Sequence, residues 1–285
     1  MDLTQLQRLA PQMLRAVAWL FIVAVIFIPL EWLFPVRREK LLRRSQGGDI
    51  AFFFINNFVP PLLLAVPVAL AGYVAYRFIP GRVHETVEAW PLWLRGLAAF
   101  VVADLGFYWG HRWAHQLPLL WRFHAVHHAP EHVYFMISAR AHPVDNAFIR
   151  LCGLVPIAIL GLGAPQSVQG TLVATLLMLA VTIWGFFIHA NLRWRFGPLE
   201  WLLATPAFHL WHHTRSDHRD RNFASMLPIW DLLFGTAYLP RGSWPAAYGV
   251  ERPLPATVTG QLAHPFLRTQ ATQATSEQEG PVGAG

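Results

Sequence analysis

Charge is scarce in this chain of 285 residues, where Asp, Glu, Lys and Arg make up 13%, against about 25% in a typical soluble domain. This scarcity argues against a water-soluble single-core protein, and the 54% share of hydrophobic residues argues against a disordered chain. Cysteine occurs once, as Cys152, which excludes an intramolecular disulfide framework and a cysteine-based zinc ribbon. Lysine also occurs once, as Lys40, so arginine carries the net charge of +6. The composition indicates an integral membrane protein.

Long uncharged runs predict the membrane spans. One run covers 27 residues and another covers 38, whereas a helix needs about 20 residues to cross a bilayer. We predict spans over residues 16–36, 50–76 and 92–110, and a helical hairpin over 151–188 that turns at 161–165. The predicted fold class is an all-α integral membrane protein with about four to five transmembrane helices.

The basic residues predict the orientation of these helices. If the basic cluster at residues 37–44 is cytoplasmic, 17 of the 22 Lys and Arg residues lie on that side, as the positive-inside rule requires. The N-terminus is then outside, and residues 111–146 and 189–265 form a cytosolic, histidine-rich helical cap. Because the arginines flank apolar runs, we expect no nucleic-acid binding. The preference for arginine over lysine favours a bacterial, high-GC source and hence an inner membrane.

Three regions follow from this pattern. Residues 1–91 are predicted to be N-terminal membrane helices. Residues 92–245 are predicted to be a histidine-box domain that contains the hairpin. Residues 246–285 are predicted to be a C-terminal segment, disordered from about residue 268, where Thr, Gln, Ser, Glu and Gly dominate.

Fourteen histidines are the most unusual feature of the composition. Eight lie in three boxes: HxxxH at His111 and His115, HxxHH at His124, His127 and His128, and HxxHH at His209, His212 and His213. Residues at i, i+3 and i+4 share one helix face, so each box directs its imidazoles to one side. Neutral imidazole is the commonest side-chain metal ligand and suits iron, zinc and copper. Eight imidazoles exceed the needs of one ion, so we expect two metals.

Other residues are candidates for the same site. His189, at the predicted cytosolic end of the hairpin, is expected to be a further ligand. Four more residues are expected either to be ligands or to hydrogen-bond to ligands: His142, Asp104, Arg140 and Asn191. The motif HExxH does not occur, which argues against a zincin-type protease.

The three boxes, in this order, resemble those of the fatty acid hydroxylase/sterol desaturase superfamily of membrane-bound di-iron enzymes. The similarity extends over about residues 95–240. It includes the sequences WRFHAVHH at 121–128, RAHP at 140–143, HANL at 189–192, TP at 205–206, NF at 222–223 and WDLLFGT at 230–236.

This resemblance implies that two irons activate dioxygen to hydroxylate or desaturate an unactivated C–H bond of a membrane lipid such as a sterol or fatty acyl chain. Zinc is expected as a substitute metal, and a soluble or membrane electron-transfer protein as the external electron donor. The eight box histidines are the implied catalytic residues. The implied metal ligands are these nine: His111, His115, His124, His127, His128, His189, His209, His212 and His213. Some members carry another histidine where this chain has Arg193.

Two other classes of function remain open from the sequence. A membrane b-type haem protein would need single histidines that face each other across helices. A metal-binding membrane protein without catalysis would keep the boxes.

Overall fold

The computed structural model describes residues 3–40, 45–162, 168–215 and 218–267, and in these ranges the chain is helical without any named strand. The α-helices are α1 (Leu3–Leu33), α2 (Gln46–Phe78), α3 (Gly81–Glu88), α4 (Leu92–Gln116), α5 (Pro118–His128), α6 (Pro143–Ile159), α7 (Val168–His189), α8 (Pro206–His212), α9 (Ile229–Leu233) and α10 (Val258–Ala263). Short 3₁₀ helices cover Phe135–Ala139, Gly197–Trp201 and His264–Phe266. The all-α prediction is confirmed for these ranges.

Within the described residues, three helices are long and apolar enough to cross a membrane: Ala10–Leu33, Gln46–Phe78 and Leu92–Gln116. A shorter apolar stretch, Met178–His189, ends α7. Large apolar side chains project outward from these helices, among them Phe21, Leu62 and Val66, each more than two-thirds exposed. Uninterrupted helices with apolar outer surfaces are suited to the hydrocarbon interior of a membrane. The turn of the predicted hairpin falls mostly on residues 163–167, and the predicted disorder falls on residues after 267; both lie outside the described residues.

Helix α4 extends beyond its predicted end at residue 110 and continues to Gln116. It stops at Leu117, whose extended backbone (φ −95°, ψ 117°) is the conformation favoured before a proline. Pro118 then opens α5, as prolines often do at a first helical position. Residues 111 and 115 are therefore part of the long α4 helix, and α5 starts immediately beside them.

Helix α6 packs against both α2 and α4. Its contact with α4 is very close, because a Cβ added at Gly106 would lie 2.1 Å from the carbonyl oxygen of Cys152. A Cβ at Gly153 would lie 2.3 Å from the Phe107 ring. Glycine is required at position 106 for this approach, because the neighbouring atoms there are backbone.

A buried apolar cluster joins α1, α2, α7 and the 3₁₀ helix at 135–139. It includes Phe27, Phe53, Phe135, Ile137 and Phe186, all at most 4% exposed. A buried ion pair between Arg140 and Asp49 also ties the segment after this 3₁₀ helix to the start of α2. These contacts fix the backbone around the ends of α5 and α7.

Candidate metal centre

Nine buried histidines converge at the ends of α4, α5, α7 and α8. They form two clusters, in each of which the candidate ligand atoms lie within 4.8 Å of one another. The five-histidine cluster contains His111, His115, His124, His128 and His212, and the four-histidine cluster contains His127, His189, His209 and His213. The two clusters adjoin, since the rings of His128 and His213 stack with centroids 4.5 Å apart.

Each HxxHH box is divided between the two clusters. On a helix, residues i and i+4 are only about 40° apart, whereas i+3 lies about 60° to the other side of i. His127, the i+3 residue of the first HxxHH box, accordingly leaves its box partners and enters the four-histidine cluster. His212, the i+3 residue of the second, enters the five-histidine cluster. The two boxes thus exchange one ligand each across the boundary.

The local structure of the last box is set by its flanking residues. Thr205 caps α8, and its side chain accepts a hydrogen bond from the Phe208 amide at 3.4 Å. Pro206 occupies the first helical position. Asn222 donates to the carbonyl oxygens of Phe208 and Tyr238, at 2.8 and 2.6 Å, and so holds the following loop against α8.

The orientation of the imidazoles fits a bound cation. His127 donates from Nδ1 to the Arg140 carbonyl oxygen at 2.8 Å, and His189 donates from Nδ1 to the Gly185 carbonyl oxygen at 2.7 Å. In a neutral imidazole the other nitrogen then carries a lone pair. The two Nε2 atoms nevertheless face each other at 3.2 Å. Two lone pairs in this position repel unless a cation binds both.

The five-histidine cluster has the same arrangement. His111 donates from Nδ1 to the Phe223 carbonyl oxygen at 2.7 Å, and His212 donates from Nδ1 to the Arg221 carbonyl oxygen at 2.8 Å. The Nε2 atoms of His212 and His124 are buried and have no hydrogen-bond partner among the described residues. Buried polar atoms of this kind require a partner, which a metal ion would supply.

Two carboxylates also orient histidines of this cluster. Asp145, buried at the start of α6, accepts from Nδ1 of His124 at 2.9 Å. Asp220, half exposed, accepts from Nδ1 of His115 at 3.1 Å. Neither role is predicted from the sequence, although Asp145 follows RAHP closely and Asp220 lies in the charged loop after the last box.

A third carboxylate positions the backbone acceptors. Asp231 is fully buried and accepts hydrogen bonds from the Phe223 amide at 2.9 Å and the Ala224 amide at 2.8 Å. The Thr236 hydroxyl donates to it at 2.6 Å. Because His111 donates to the Phe223 carbonyl oxygen, the hydrogen bonds of Asp231 to the Phe223 and Ala224 amides also help to hold the His111 ring in place.

The surroundings keep these imidazoles neutral. Burial lowers the pKa of His124 to about 3 and the pKa of His127 to about 4. Burial likewise lowers the pKa of the other four histidines in the two HxxHH boxes: His128, His209, His212 and His213. Burial raises the pKa of Asp145 to about 7. Neutral imidazole is the form that binds metal.

The other predicted site residues lie outside both clusters. His142 caps α6, where Nδ1 accepts from the Val144 amide at 3.2 Å and Nε2 lies 3.1 Å from the Leu262 carbonyl oxygen. Asp104 accepts from the Trp230 indole at 2.9 Å and from the Leu227 amide at 3.1 Å. Neither makes a direct hydrogen bond to a cluster histidine in the described part of the chain.

Arg140 and Asn191 have structural contacts of a different kind. Arg140 meets His127 through its carbonyl oxygen, while its guanidinium binds Asp49 and Gln261. The Asn191 side chain donates to the Arg37 carbonyl oxygen at 2.8 Å.

The Arg193 side chain is exposed, and its amide donates to the Phe34 carbonyl oxygen at 2.9 Å. It therefore adds no ligand to the four-histidine cluster.

Comparison with known proteins identifies the family. The sequence profile of the fatty acid hydroxylase family matches residues 96–236. Ornithine lipid hydroxylase OlsE of Rhizobium tropici is 32% identical over 261 residues, which cover 88% of this chain and 75% of that protein. The chain belongs to the fatty acid hydroxylase family. The resemblance seen in the histidine boxes is confirmed.

The names of two further relatives describe monooxygenases. Alkylglycerol monooxygenase of Danio rerio is 37% identical over 199 residues, which cover 68% of this chain but only 41% of that protein. Methylsterol monooxygenase 2-2 of Arabidopsis thaliana is 27% identical over 204 residues, which cover 71% of this chain and 73% of that protein. No solved structure matches the chain significantly. These relatives support the predicted enzyme class, an oxidoreductase of the lipid hydroxylase type.

Proposed function

We propose that this member of the fatty acid hydroxylase family uses dioxygen to oxidise a C–H bond of a membrane lipid at two irons. The observation that carries the proposal is the pair of buried clusters, in which candidate ligand nitrogens of five and of four imidazoles converge within 4.8 Å of one another. Imidazole ligands suit iron, and five and four imidazoles match the needs of two ions. Bound iron supplies the redox chemistry that activates dioxygen, which zinc as a substitute would not supply.

The protein's own groups would orient the ligands and exclude water. In six of the nine histidines a carbonyl or carboxylate oxygen holds the Nδ1 proton, so that ring directs Nε2 inward. All nine histidines are at most 8% exposed, so bulk water has little access to them. Hydroxylation consumes one C–H bond, dioxygen, an electron pair and two protons, and it yields an alcohol and water. The electrons come from a separate electron-transfer protein, which binds at the cytosolic surface.

We propose that the metal centre forms a cytosolic cap over four to five membrane spans in a bacterial inner membrane. His111 and His115 lie at the end of a candidate span, and His189 ends the apolar helix α7. The positive-inside rule assigns this end to the cytoplasm. A lipid that enters between the spans would bring its alkyl chain to the centre from below.

The substrate is proposed to be a polar membrane lipid. The relatives named above act on an ornithine lipid, alkylglycerol and methylsterol by name, and each name implies an amphiphile with a long or rigid apolar part.

The geometry does not favour a b-type haem. Bis-histidine haem needs a flat cavity between two opposed imidazoles. Here the imidazoles contact each other directly; the rings of His111 and His212, for example, have centroids 4.3 Å apart. A metal-binding protein without catalysis would keep the same clusters, so activity must be tested.

Replacement of His127 and of His212 by alanine tests the proposal. The purified wild-type protein should contain about two irons per chain. Cells that express it should accumulate a lipid one oxygen atom heavier, labelled by ¹⁸O₂. Each variant should lose the product, because each removes one imidazole from a different cluster.

His132→Ala is the matched control, since His132 is exposed and pairs with Glu39 outside both clusters. The control should keep both iron and product. Full turnover by His127→Ala, or a Soret band in the purified protein, would contradict the di-iron proposal.

A further inference from the structure

The two clusters differ in the charge of the groups that accept their Nδ1 protons. In the five-histidine cluster, His124 donates to Asp145 at 2.9 Å and His115 donates to Asp220 at 3.1 Å. His124 and Asp145 are both buried, with side chains 2% and 3% exposed. This cluster therefore has two carboxylates in direct contact with its histidines.

The four-histidine cluster has neutral acceptors. His127 donates to the Arg140 carbonyl oxygen and His189 donates to the Gly185 carbonyl oxygen. The guanidinium of Arg140 is already paired with Asp49, so this region adds no net negative charge. Each cluster also has one histidine, His128 or His209, whose buried Nδ1 has no hydrogen-bond partner among the described residues.

This difference has a direct effect on metal affinity. A carboxylate that accepts the Nδ1 proton raises the basicity of the ring, so that Nε2 is a stronger donor to a cation. It also fixes the tautomer and the orientation of the ring. A cation on Nε2 in turn favours the ionised carboxylate, so ion and carboxylate stabilise each other across the ring. The five-histidine cluster further offers one more ligand than its neighbour.

We infer that the two metal sites are inequivalent: the five-histidine cluster binds metal first and more tightly, and Asp145 and Asp220 are the positioning residues that set this order. The inference rests on the two-metal centre of the proposed function. As a consequence, chelators should remove the metal of the four-histidine cluster first. Its ligands His127 and His189 donate to backbone carbonyl oxygens instead of carboxylates, and Arg193 leaves the cluster with four imidazoles.

Titration of the full-length, metal-free protein with Co²⁺ tests the inference without the use of enzyme activity. Absorption of the bound ion and calorimetry should show two steps of unequal affinity. His124→Ala, which leaves four imidazoles and removes the contact with Asp145, should weaken the tight step, and His127→Ala, which leaves three imidazoles in the other cluster, should remove the weak step. These two variants assign the steps to the clusters.

Asp145→Asn should weaken the tight step by about 10- to 100-fold and leave the weak step unchanged. Asp220→Asn, at a half-exposed position, should weaken the tight step in the same direction by a smaller factor. Asp145→Glu should restore part of the affinity. Asp104→Asn is the matched control, because it alters another buried carboxylate that makes no direct hydrogen bond to a cluster histidine.

Several results would overturn the inference. These are two steps of equal affinity, an equal loss in both steps on Asp145→Asn, or the same loss in the Asp104→Asn control. If Asp145→Asn does not fold, Asp220→Asn decides: an unchanged tight step rejects the inference. A wild-type protein that binds no Co²⁺, Fe²⁺ or Zn²⁺ would instead reject the proposed function itself.

Discussion

At the residue scale, the decisive feature is which nitrogen of each imidazole faces inward. Six of the nine histidines place Nδ1 against an oxygen acceptor: His111, His115, His124, His127, His189 and His212. The acceptors come from four different stretches of the chain, and two of them are carboxylates. A box motif alone supplies the imidazoles, but these acceptors give them a common direction.

Burial of neutral histidines predicts a pH dependence of stability. In the unfolded chain a histidine has a pKa near 6.5, whereas His124 and His127 have pKa values of about 3 and about 4 in the fold. Below pH 6.5 the unfolded state therefore binds more protons than the folded state, and the free energy of unfolding falls as pH falls. Each histidine contributes about 1 kcal/mol per pH unit until its folded pKa is reached.

The measurement is the melting temperature of metal-free protein in detergent from pH 8 to pH 4.5. It should fall steadily as the pH drops below about 6.5. His132→Ala, which removes an exposed histidine, should leave this profile unchanged. A melting temperature that does not change over the whole range would contradict the prediction.

At the scale of the elements, the site depends on helices whose ends meet. The extension of α4 to Gln116 and the turn at Pro118 bring two boxes together, and the cap at Thr205 starts the helix of the third. The close contact of α4 with α6 then places Asp145 beside His124. Helix packing at glycines is thus part of the construction of the site.

Gly106→Ala tests this dependence on packing. The added Cβ would lie 2.1 Å from the Cys152 carbonyl oxygen, and backbone on both sides leaves no flexible group to move aside. The helices must separate, at a cost of about 1–3 kcal/mol. We expect a lower melting temperature and a loss of bound metal, because α4 carries His111 and His115.

Gly72→Ala is the matched control within a helix. A Cβ at Gly72 meets nothing within 4 Å, so alanine should leave stability unchanged or raise it by about 0.5–1 kcal/mol. An equal melting temperature for Gly106→Ala and the wild type would show that the α4–α6 contact is not required.

At the scale of the whole molecule, the proposed orientation makes a separate prediction. Arg82 follows the second candidate span and Arg193 follows α7, and both side chains are exposed. Under the proposed topology, Arg82 faces the outside and Arg193 the cytoplasm. In a Cys152→Ser background, Arg82→Cys should react with an impermeant maleimide on intact cells. Arg193→Cys should react only after the membrane is permeabilised, and the reverse pattern would refute the topology.

Much of the candidate site follows from sequence pattern because its ligands lie in boxes with helical spacing. The eight box histidines all enter the clusters, because the i, i+3 and i+4 positions of a box lie within about 100° of one another around the helix, and His189 joins them. The roles of Asp145 and Asp220 could not be predicted from the sequence, because these residues lie 21 and 105 positions along the chain from the histidines that they contact. Asp104 was a candidate because a charge is costly in a membrane, but its hydrogen bonds hold Leu227 and Trp230.

The sequence by itself determined that the helices suit a membrane, that the fold is helical and which family the chain belongs to. It also determined which nine histidines cluster, because hydropathy and short-range spacing are local properties. Only the tertiary structure decided how these histidines divide. His127 and His212 each leave their own box, since a helix directs i+3 away from i and i+4, and a neighbouring helix must supply the rest of each cluster. The unequal charge around the two clusters was also decided there, because it depends on which distant oxygen accepts each Nδ1 proton.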